Sequence, residues 1–211
     1  MMTARKGEAA RALQESLGAL AEAHPVVETA LAHYGPPEPR VRPGGFGTLA
    51  RIVVGQQVST HAARAISDRL ARALGGRLAA PPLLAASDEV LRGAGLSGQK
   101  VRYLRALAVA VESGELPLRR LPRMSDEAVV QAITGVLGFG VWSAHMYLLF
   151  SLGRQDVWPA GDLAVRGGFG RLLGWEARPT EAQVRDASAP FAPHRSALAL
   201  LCWRIYSAAP L

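Results

Sequence analysis

Apolar positions recur with a helical period along most of the chain. Residues 8–22 read as an amphipathic helix, and Pro25 can occupy the first turn of a second one. The stretch "FGTLARIVVGQ" (46–56) reads as a buried helix, and an apolar run over 141–152 is followed by Gly153. No segment alternates convincingly with a period of two, and no hairpin of the Asn-Gly kind occurs. The pattern therefore predicts an all-α fold of about ten helices.

Short polar side chains stand near the start of several predicted helices. Such a side chain accepts a hydrogen bond from the N–H groups that the first helical turn leaves without partners. Acidic residues in the first turn add a favourable interaction with the helix dipole, as in "SDE" at 125–127. The predicted helix starts lie at Ser59, Ser87, Ser97, Ser125, Asp162 and Thr180.

Two segments interrupt the helical pattern and suggest two lobes. "GPPEPRVRPGG" (35–45) has the proline and glycine content of a linker. The loop over 154–161 is the second interruption, and Asp156 within it reads as a solvated residue. We predict one lobe built from residues 1–44 and 155–211, and a central lobe over 45–154.

A glycine-rich turn, "GVLGFG", joins two of the predicted helices. Gly138 and Gly140 would let the backbone turn sharply or approach another group closely. The exposed N–H groups and the positive end of the helix starting near Val141 would together suit a phosphate oxygen. The alternative is an ordinary helical hairpin with glycine caps.

Charge and cysteine content narrow the function classes. The net charge of +7 and the pI of about 10.5 favour a polyanionic partner such as nucleic acid, although a basic protein from a high-GC genome is the alternative. Cys202 is the only cysteine, which excludes an internal disulfide and a Cys-rich metal site. No signal-type or membrane-spanning segment occurs, so we expect a soluble, cytoplasmic, nucleoid-associated protein.

Four segments together resemble one protein family. "LGFGVWSAHMYLLFSLGRQDVWPAGDLAVR" is similar to the helix-hairpin-helix, loop and aspartate signature of the HhH-GPD superfamily of DNA glycosylases. "IVVGQQVSTHAARAI", "GLSGQKVRYLRALA" and "HRSALALLCW" resemble further family segments in the same order. Within the superfamily the chain is most similar to 3-methyladenine DNA glycosylase II, the AlkA type.

The resemblance implies two helical lobes with double-stranded DNA in a cleft between them and a helix-hairpin-helix over about 129–152. It implies a monomeric base-excision repair enzyme that flips an alkylated base out of the duplex and hydrolyses its N-glycosidic bond. No cofactor would be required, but Na⁺ or K⁺ would fit in the hairpin. The larger relatives carry an N-terminal β-rich domain, and the 45 or so residues before the matched region are expected to be helical instead.

The resemblance also implies the site residues. Asp162 would be catalytic, and Gln57 would enter the gap left by the flipped nucleotide. The base pocket would be lined by Trp203, Trp142 and Met146, the last in place of a tyrosine. DNA contacts would come from Gln57, Gln56, Ser59, Gly138, Gly140 and Ser143, and the alkali cation would bind backbone carbonyls of Thr134, Val136 and Phe139.

The proposed chemistry agrees with the residue types. A carboxylate beside C1′ opposes the positive charge that the sugar acquires as the bond breaks. A base alkylated at a ring nitrogen leaves without a second acid, and aromatic faces attract its positive charge. Trp142 stands where bifunctional relatives place a lysine, so no lyase activity is expected. The alternatives are a helix-capping role for Asp162 in a non-catalytic binder of damaged DNA, and a glycosylase for uracil mismatches or oxidised purines.

Overall fold

The computed structural model describes residues 2–208, and this part of the chain contains helices and no strand. The prediction of an all-α fold is confirmed. Two compact units divide the described chain. The terminal unit comprises residues 2–41 and 148–208, and the central unit spans Arg42–Tyr147. Within residues 2–208, no helix has both the length and the apolar character needed to cross a bilayer.

The terminal unit contains five α-helices from the two ends of the described chain. A π-helical turn over Leu148–Leu152 opens its second part, and a short 3₁₀ turn covers Ala189–Phe191. The helices are α1 (Met2–Ala23), α2 (Pro25–Tyr34), α10 (Leu163–Leu172), α11 (Glu181–Ala187) and α12 (Arg195–Ala208).

The central unit contains seven α-helices, of which α3 packs on α4, α7 and α9, and α8 packs on α9. A 3₁₀ turn at Leu121–Arg123 precedes α8. The helices are α3 (Phe46–Gly55), α4 (Thr60–Ala73), α5 (Ala80–Ala85), α6 (Asp88–Gly93), α7 (Gly98–Glu112), α8 (Asp126–Thr134) and α9 (Val141–Tyr147).

The polar residues predicted at helix starts act as N-caps. Each accepts a hydrogen bond from a backbone N–H in the first turn, and Thr180 forms a reciprocal capping box with Gln183. These predictions are confirmed because capping depends on contacts within four residues of sequence. The capping residues are Ser59, Ser87, Ser97, Ser125, Asp162 and Thr180.

Three features differ from the sequence prediction. Helix α1 starts before residue 8, where Arg5 donates a hydrogen bond to the carbonyl of Ser151 at 2.8 Å. Helix α5 was not predicted, and Pro81 and Pro82 stand in its first turn, where a missing N–H costs little. The apolar run over 141–152 is not one α-helix, since α9 gives way to the π-helical turn.

The unit boundaries lie earlier than the predicted ones at residues 44 and 154. The π-helical turn belongs to the terminal unit, where the ring of Phe150 packs on Trp203 with centroids 5.7 Å apart. This segment thus packs on a residue far along the chain in the terminal unit.

Close packing of α10 against α12 organises the terminal unit. A Cβ atom added at Gly168 would lie 2.0 Å from the carbonyl oxygen of Cys202, and one at Gly167 would lie 2.7 Å from the ring of Tyr206. The glycines thus let the two helix backbones approach closely. At the next position of α10, the buried ring of Phe169 contacts Trp158 edge-on at 5.2 Å.

We expect Gly168→Ala to lower the free energy of unfolding by about 1–3 kcal/mol, because the new methyl group meets backbone that has no rotamer to change. Urea denaturation measures this change. Gly18→Ala is the matched control, since Gly18 is exposed within α1 and its added Cβ meets nothing within 4 Å. That control should stabilise the protein by about 0.5–1 kcal/mol. Equal effects of the two substitutions would contradict the packing argument.

Candidate functional site

The candidate site begins at Asp162, which precedes the first turn of α10. Its Oδ1 atom accepts hydrogen bonds from the backbone N–H groups of Ala164 and Val165, both at 2.9 Å. The side chain is half-buried, and its backbone is extended, as a capping position requires. The positive end of the α10 dipole therefore faces the carboxylate.

Trp203 on α12 reaches the same carboxylate. Its indole Nε1–H donates to Oδ1 of Asp162 at 3.1 Å, although the two residues are 41 positions apart. The ring is only 8% exposed and packs against Phe150. Three N–H donors thus converge on one carboxylate oxygen and fix the orientation of the Asp162 side chain. The structure therefore brings together the predicted catalytic residue and one predicted pocket residue.

The loop before Asp162 is tied to the start of α12. Arg195 forms a bidentate ion pair with Asp156, with nitrogen–oxygen distances of 2.8 and 2.7 Å. Ser196 accepts a hydrogen bond from the N–H of Val157 and donates one to the carbonyl of Arg154. Asp156 lies in a loop, as the sequence predicts, and is partly exposed, but it also forms an ion pair that the sequence did not predict, with a residue 39 positions further along the chain.

The ion pair also sets the charge of Asp156. Partial burial raises the pKa of this carboxyl, but hydrogen bonds and charge from Arg195 lower it, and the net pKa lies below the ordinary value. Asp156 is therefore ionised at neutral pH and holds the loop in place. It has no proton to give to a leaving group.

In the central unit, the glycine turn joins α8 to α9. Gly138 has a φ of +91°, and a Cβ atom at this position would lie 2.3 Å from Cγ of Tyr103. An added Cβ at Gly140 would meet nothing within 4 Å, so the backbone there is approachable. Leu137 and Val141 on either side are 60% and 53% exposed. The turn therefore presents open backbone between two exposed apolar side chains.

The two neighbouring glutamines at the end of α3 have different environments. The Gln56 side-chain amide donates to the carbonyl of Gly138 at 2.9 Å, so this residue ties the helix junction to the glycine turn. Gln57 is exposed, and its φ of +58° makes it the sole described non-glycine residue with a positive φ. Ser59 caps α4, with its Oγ accepting from the N–H of Ala62. A residue with a strained backbone and an exposed side chain therefore lies at the position predicted to enter the DNA duplex.

The other predicted side chains lie on α9. Trp142 is 42% exposed, whereas Met146 is 5% exposed. Ser143 is 2% exposed, and its N–H donates to the carbonyl of Gly140 at 3.0 Å. This burial does not support a DNA contact by the Ser143 side chain. The backbone at Gly140 is accessible in the hairpin instead.

The carbonyl oxygens proposed for a cation belong to the end of α8 and the turn after it. The last carbonyls of a helix lack intrahelical partners and carry its negative dipole end. Val136 already accepts a hydrogen bond from the N–H of Phe139 at 3.1 Å, but a carbonyl oxygen has a second lone pair. Among residues 2–208, no cluster of three His, Cys, Asp or Glu could hold a metal. The alkali cation at the backbone carbonyls of Thr134, Val136 and Phe139 therefore stays a prediction.

Several residues that shape the site were not predicted from the sequence. Gly167 and Gly168 bring α10 to α12, and the adjacent glycines inside a helical pattern were the available signal. Tyr103 supports the glycine turn, and Lys100 donates from Nζ to the carbonyl of Val54 at 2.8 Å, just before the glutamine pair. The contacts of Tyr103 and Lys100 join segments that are distant in sequence, so no local sequence pattern predicts them.

Comparison with known proteins places these features in a family. Residues 50–193 match the HhH-GPD superfamily of base excision DNA repair proteins. The chain is 33% identical over 177 residues to DNA-3-methyladenine glycosylase 1 of Schizosaccharomyces pombe, covering 82% of this chain and 78% of that protein.

Two solved structures are also similar. A 3-methyladenine DNA glycosylase of S. pombe in complex with abasic DNA aligns with a TM-score of 0.77 at 30% identity, over 84% of this chain and 89% of that one. A DNA-3-methyladenine glycosidase from Bacillus halodurans aligns with a TM-score of 0.74 at 33% identity, over 80% and 78% of the two chains.

The left-handed backbone of Gln57 leads to a stability prediction. Because this conformation costs a residue with a Cβ about 1–2 kcal/mol, Gln57→Gly should be more stable than Gln57→Ala by about 1 kcal/mol. Urea denaturation of the two variants measures the difference. Gln56→Ala is the neighbouring comparison and should destabilise the protein, since it removes the tie to Gly138. Equal stability of the two Gln57 variants would contradict the strain.

Proposed function

The chain belongs to the HhH-GPD superfamily of base excision DNA repair proteins, and we propose that it is a monofunctional DNA glycosylase for alkylated bases. Its reaction is hydrolysis of the N-glycosidic bond of 3-methyladenine or 7-methylguanine type lesions in double-stranded DNA. The proposed enzyme is a monomer and needs no organic cofactor.

The fixed carboxylate of Asp162 carries this proposal. As the bond between C1′ and the base breaks, positive charge develops on the sugar. A carboxylate held about 4 Å from that charge, at an effective dielectric near 20, contributes about 4 kcal/mol, or roughly 10³ in rate. The N–H donors of α10 and Trp203 hold Asp162 before the substrate arrives, so little reorganisation is needed.

Alkylated bases suit a site with one such carboxylate. A base alkylated at a ring nitrogen carries positive charge and leaves without a proton donor. Asp156 is committed to Arg195, and burial raises the pKa of the Cys202 thiol, so neither group supplies that proton. Trp203 and the partly exposed Trp142 offer aromatic faces that attract a cationic ring by about 0.5–2 kcal/mol.

Recognition of DNA falls to the central unit in this proposal. The backbone of the turn at Gly138 and Gly140, which is open at Gly140, contacts a phosphate oxygen, and this contact is independent of base sequence. Gln57, exposed at its helix junction, enters the space that the flipped nucleotide leaves. Unstacking is cheapest at damaged pairs, so flipping adds to selectivity.

We expect no lyase chemistry, because no lysine is expected at the position of the nucleophile. The family resemblance implies that Trp142 stands where bifunctional relatives place the nucleophilic lysine. Burial lowers the pKa of Lys100, but its Nζ is engaged with the carbonyl of Val54 in the support of α3. The expected product is an intact abasic site.

We expect Asp162→Asn to lower base release from methylated duplex DNA by about 10³ while DNA affinity stays within about twofold. Asparagine is as good an N-cap as aspartate, so the substitution removes the charge and keeps the start of α10. Single-turnover release of methylated bases is the measurement, with binding assayed in parallel. Borohydride should trap no covalent adduct with either protein.

Other outcomes separate the competing functions. Equal binding without release by wild type and variant would leave a non-catalytic DNA binder in which Asp162 is only a cap. Release of uracil or an oxidised purine from defined duplexes, with no release of methylated bases, would assign a different lesion. Asp162→Ala is the stability control, because it removes the cap and should cost about 1 kcal/mol in unfolding free energy.

An alkali cation at the hairpin is the last part of the proposal. Carbonyl oxygens of Thr134, Val136 and Phe139 would hold Na⁺ or K⁺, which would add positive charge beside the phosphate contact.

We expect DNA affinity to fall severalfold when choline replaces K⁺ at constant ionic strength, because choline is too large for three backbone carbonyls. Fluorescence anisotropy with a labelled duplex measures the affinity, and a DNA-binding domain without a cation site controls for salt effects on DNA. Unchanged affinity would contradict a cation in the hairpin.

A further inference from the structure

Arg40 is held over the ring of Trp203 in the terminal unit. Its guanidinium carbon lies 5.6 Å from the ring centroid, within the range of a cation–π interaction. The segment carrying Arg40 is stiffened by Pro37, which is buried, and by Pro39. It is anchored where Arg204 donates to the carbonyl of Tyr34 at 2.9 Å. The arginine is exposed, but its position relative to the ring is set by a restrained backbone.

The cavity beside Arg40 is lined by more positive than negative side chains. Arg40 lines a cavity that also includes Arg5, Arg154 and Glu8. Among these lining residues, one carboxylate accompanies three guanidinium groups. The carboxylate of Asp162 lies nearby, at the indole N–H of Trp203. The ring of Trp203, whose indole N–H contacts the proposed catalytic carboxylate, therefore carries a cation over its face.

A cation at this place acts in opposite directions on two classes of lesion. A base that is cationic before cleavage keeps one positive charge distributed between base and sugar in the transition state, and Arg40 repels it. A neutral lesion leaves with negative charge developing on the base, before water supplies a proton, and Arg40 attracts it. Both effects lower the rate for cationic lesions relative to the rate for neutral lesions.

We propose that Arg40 is a specificity-determining residue that lowers release of cationic bases and favours release of neutral lesions. This inference rests on the proposed glycosylase function and on Trp203 contacting the flipped base.

A phosphate contact is the plain alternative for an exposed arginine. Losing such a contact weakens binding of every duplex equally, because the backbone is the same in all substrates. A change in the ratio between two lesions in one sequence context therefore separates the two roles.

The experiment compares kcat/KM for duplexes that contain 7-methylguanine, which is cationic, or 1,N⁶-ethenoadenine, which is neutral. Arg40→Met keeps the length of the side chain and removes the charge. It should raise release of the cationic base and lower release of the neutral one, changing the ratio about tenfold after allowance for solvent screening. Arg40→Lys keeps the charge and should stay close to the wild-type ratio.

Arg171→Met is the matched control, since Arg171 lies 5.2 Å from the ring centroid of Tyr206 in the same unit. It removes the same charge from another arginine–aromatic pair and should leave the ratio unchanged. If Arg40→Met lowered kcat/KM equally for both substrates, or left their ratio unchanged, the inference would be overturned and the proposed function would stand. Failure of the wild-type protein to release either base would overturn the proposed function and the inference with it.

Discussion

The close approach of α10 to α12 at Gly168 is the constraint on which the terminal unit depends. The backbone of α10 passes so near the carbonyl of Cys202 that no side chain fits between them. This distance allows the indole of Trp203 to reach the carboxylate that starts α10. A longer separation would leave Asp162 with its backbone donors alone and a freer side chain. The geometry of the proposed catalytic group is thus set by a residue that has no functional group.

In the central unit, close packing at a glycine is combined with backbone strain at one residue. Gly138 turns with a positive φ that lets Tyr103 pack against the hairpin, and Gln56 ties the hairpin to the end of α3. Gln57, directly after it, holds a left-handed conformation although a glycine would be more stable there. The surrounding contacts stabilise the junction enough to maintain this side chain in the solvent. Such a distribution, with rigid support next to one strained residue, is expected where a side chain must act on a partner.

The sequence predicted the features that depend on neighbours along the chain. The all-α fold and the caps at Ser59, Ser125 and Thr180 follow from periodicity and from contacts within one helical turn. The resemblance to a family pointed to Asp162 and Trp203, but it did not show that one donates a hydrogen bond to the other. The pairing of Asp156 with Arg195 spans 39 positions, and a local pattern cannot distinguish such a residue from a solvated one. The π-helical turn was missed for a similar reason, since its apolar sequence is also typical of an α-helix.

The same oxygen of Asp162 caps a helix and orients the proposed catalytic charge, so stability and chemistry favour one side chain at this position. Functional residues often reduce stability, because they are kept in environments that serve the substrate. Here the donors that satisfy the start of α10 are the donors that fix the carboxylate. Asparagine would satisfy those N–H groups equally well, so capping alone does not require aspartate. The two side chains differ in negative charge, and this charge stabilises the transition state of the reaction proposed for this chain.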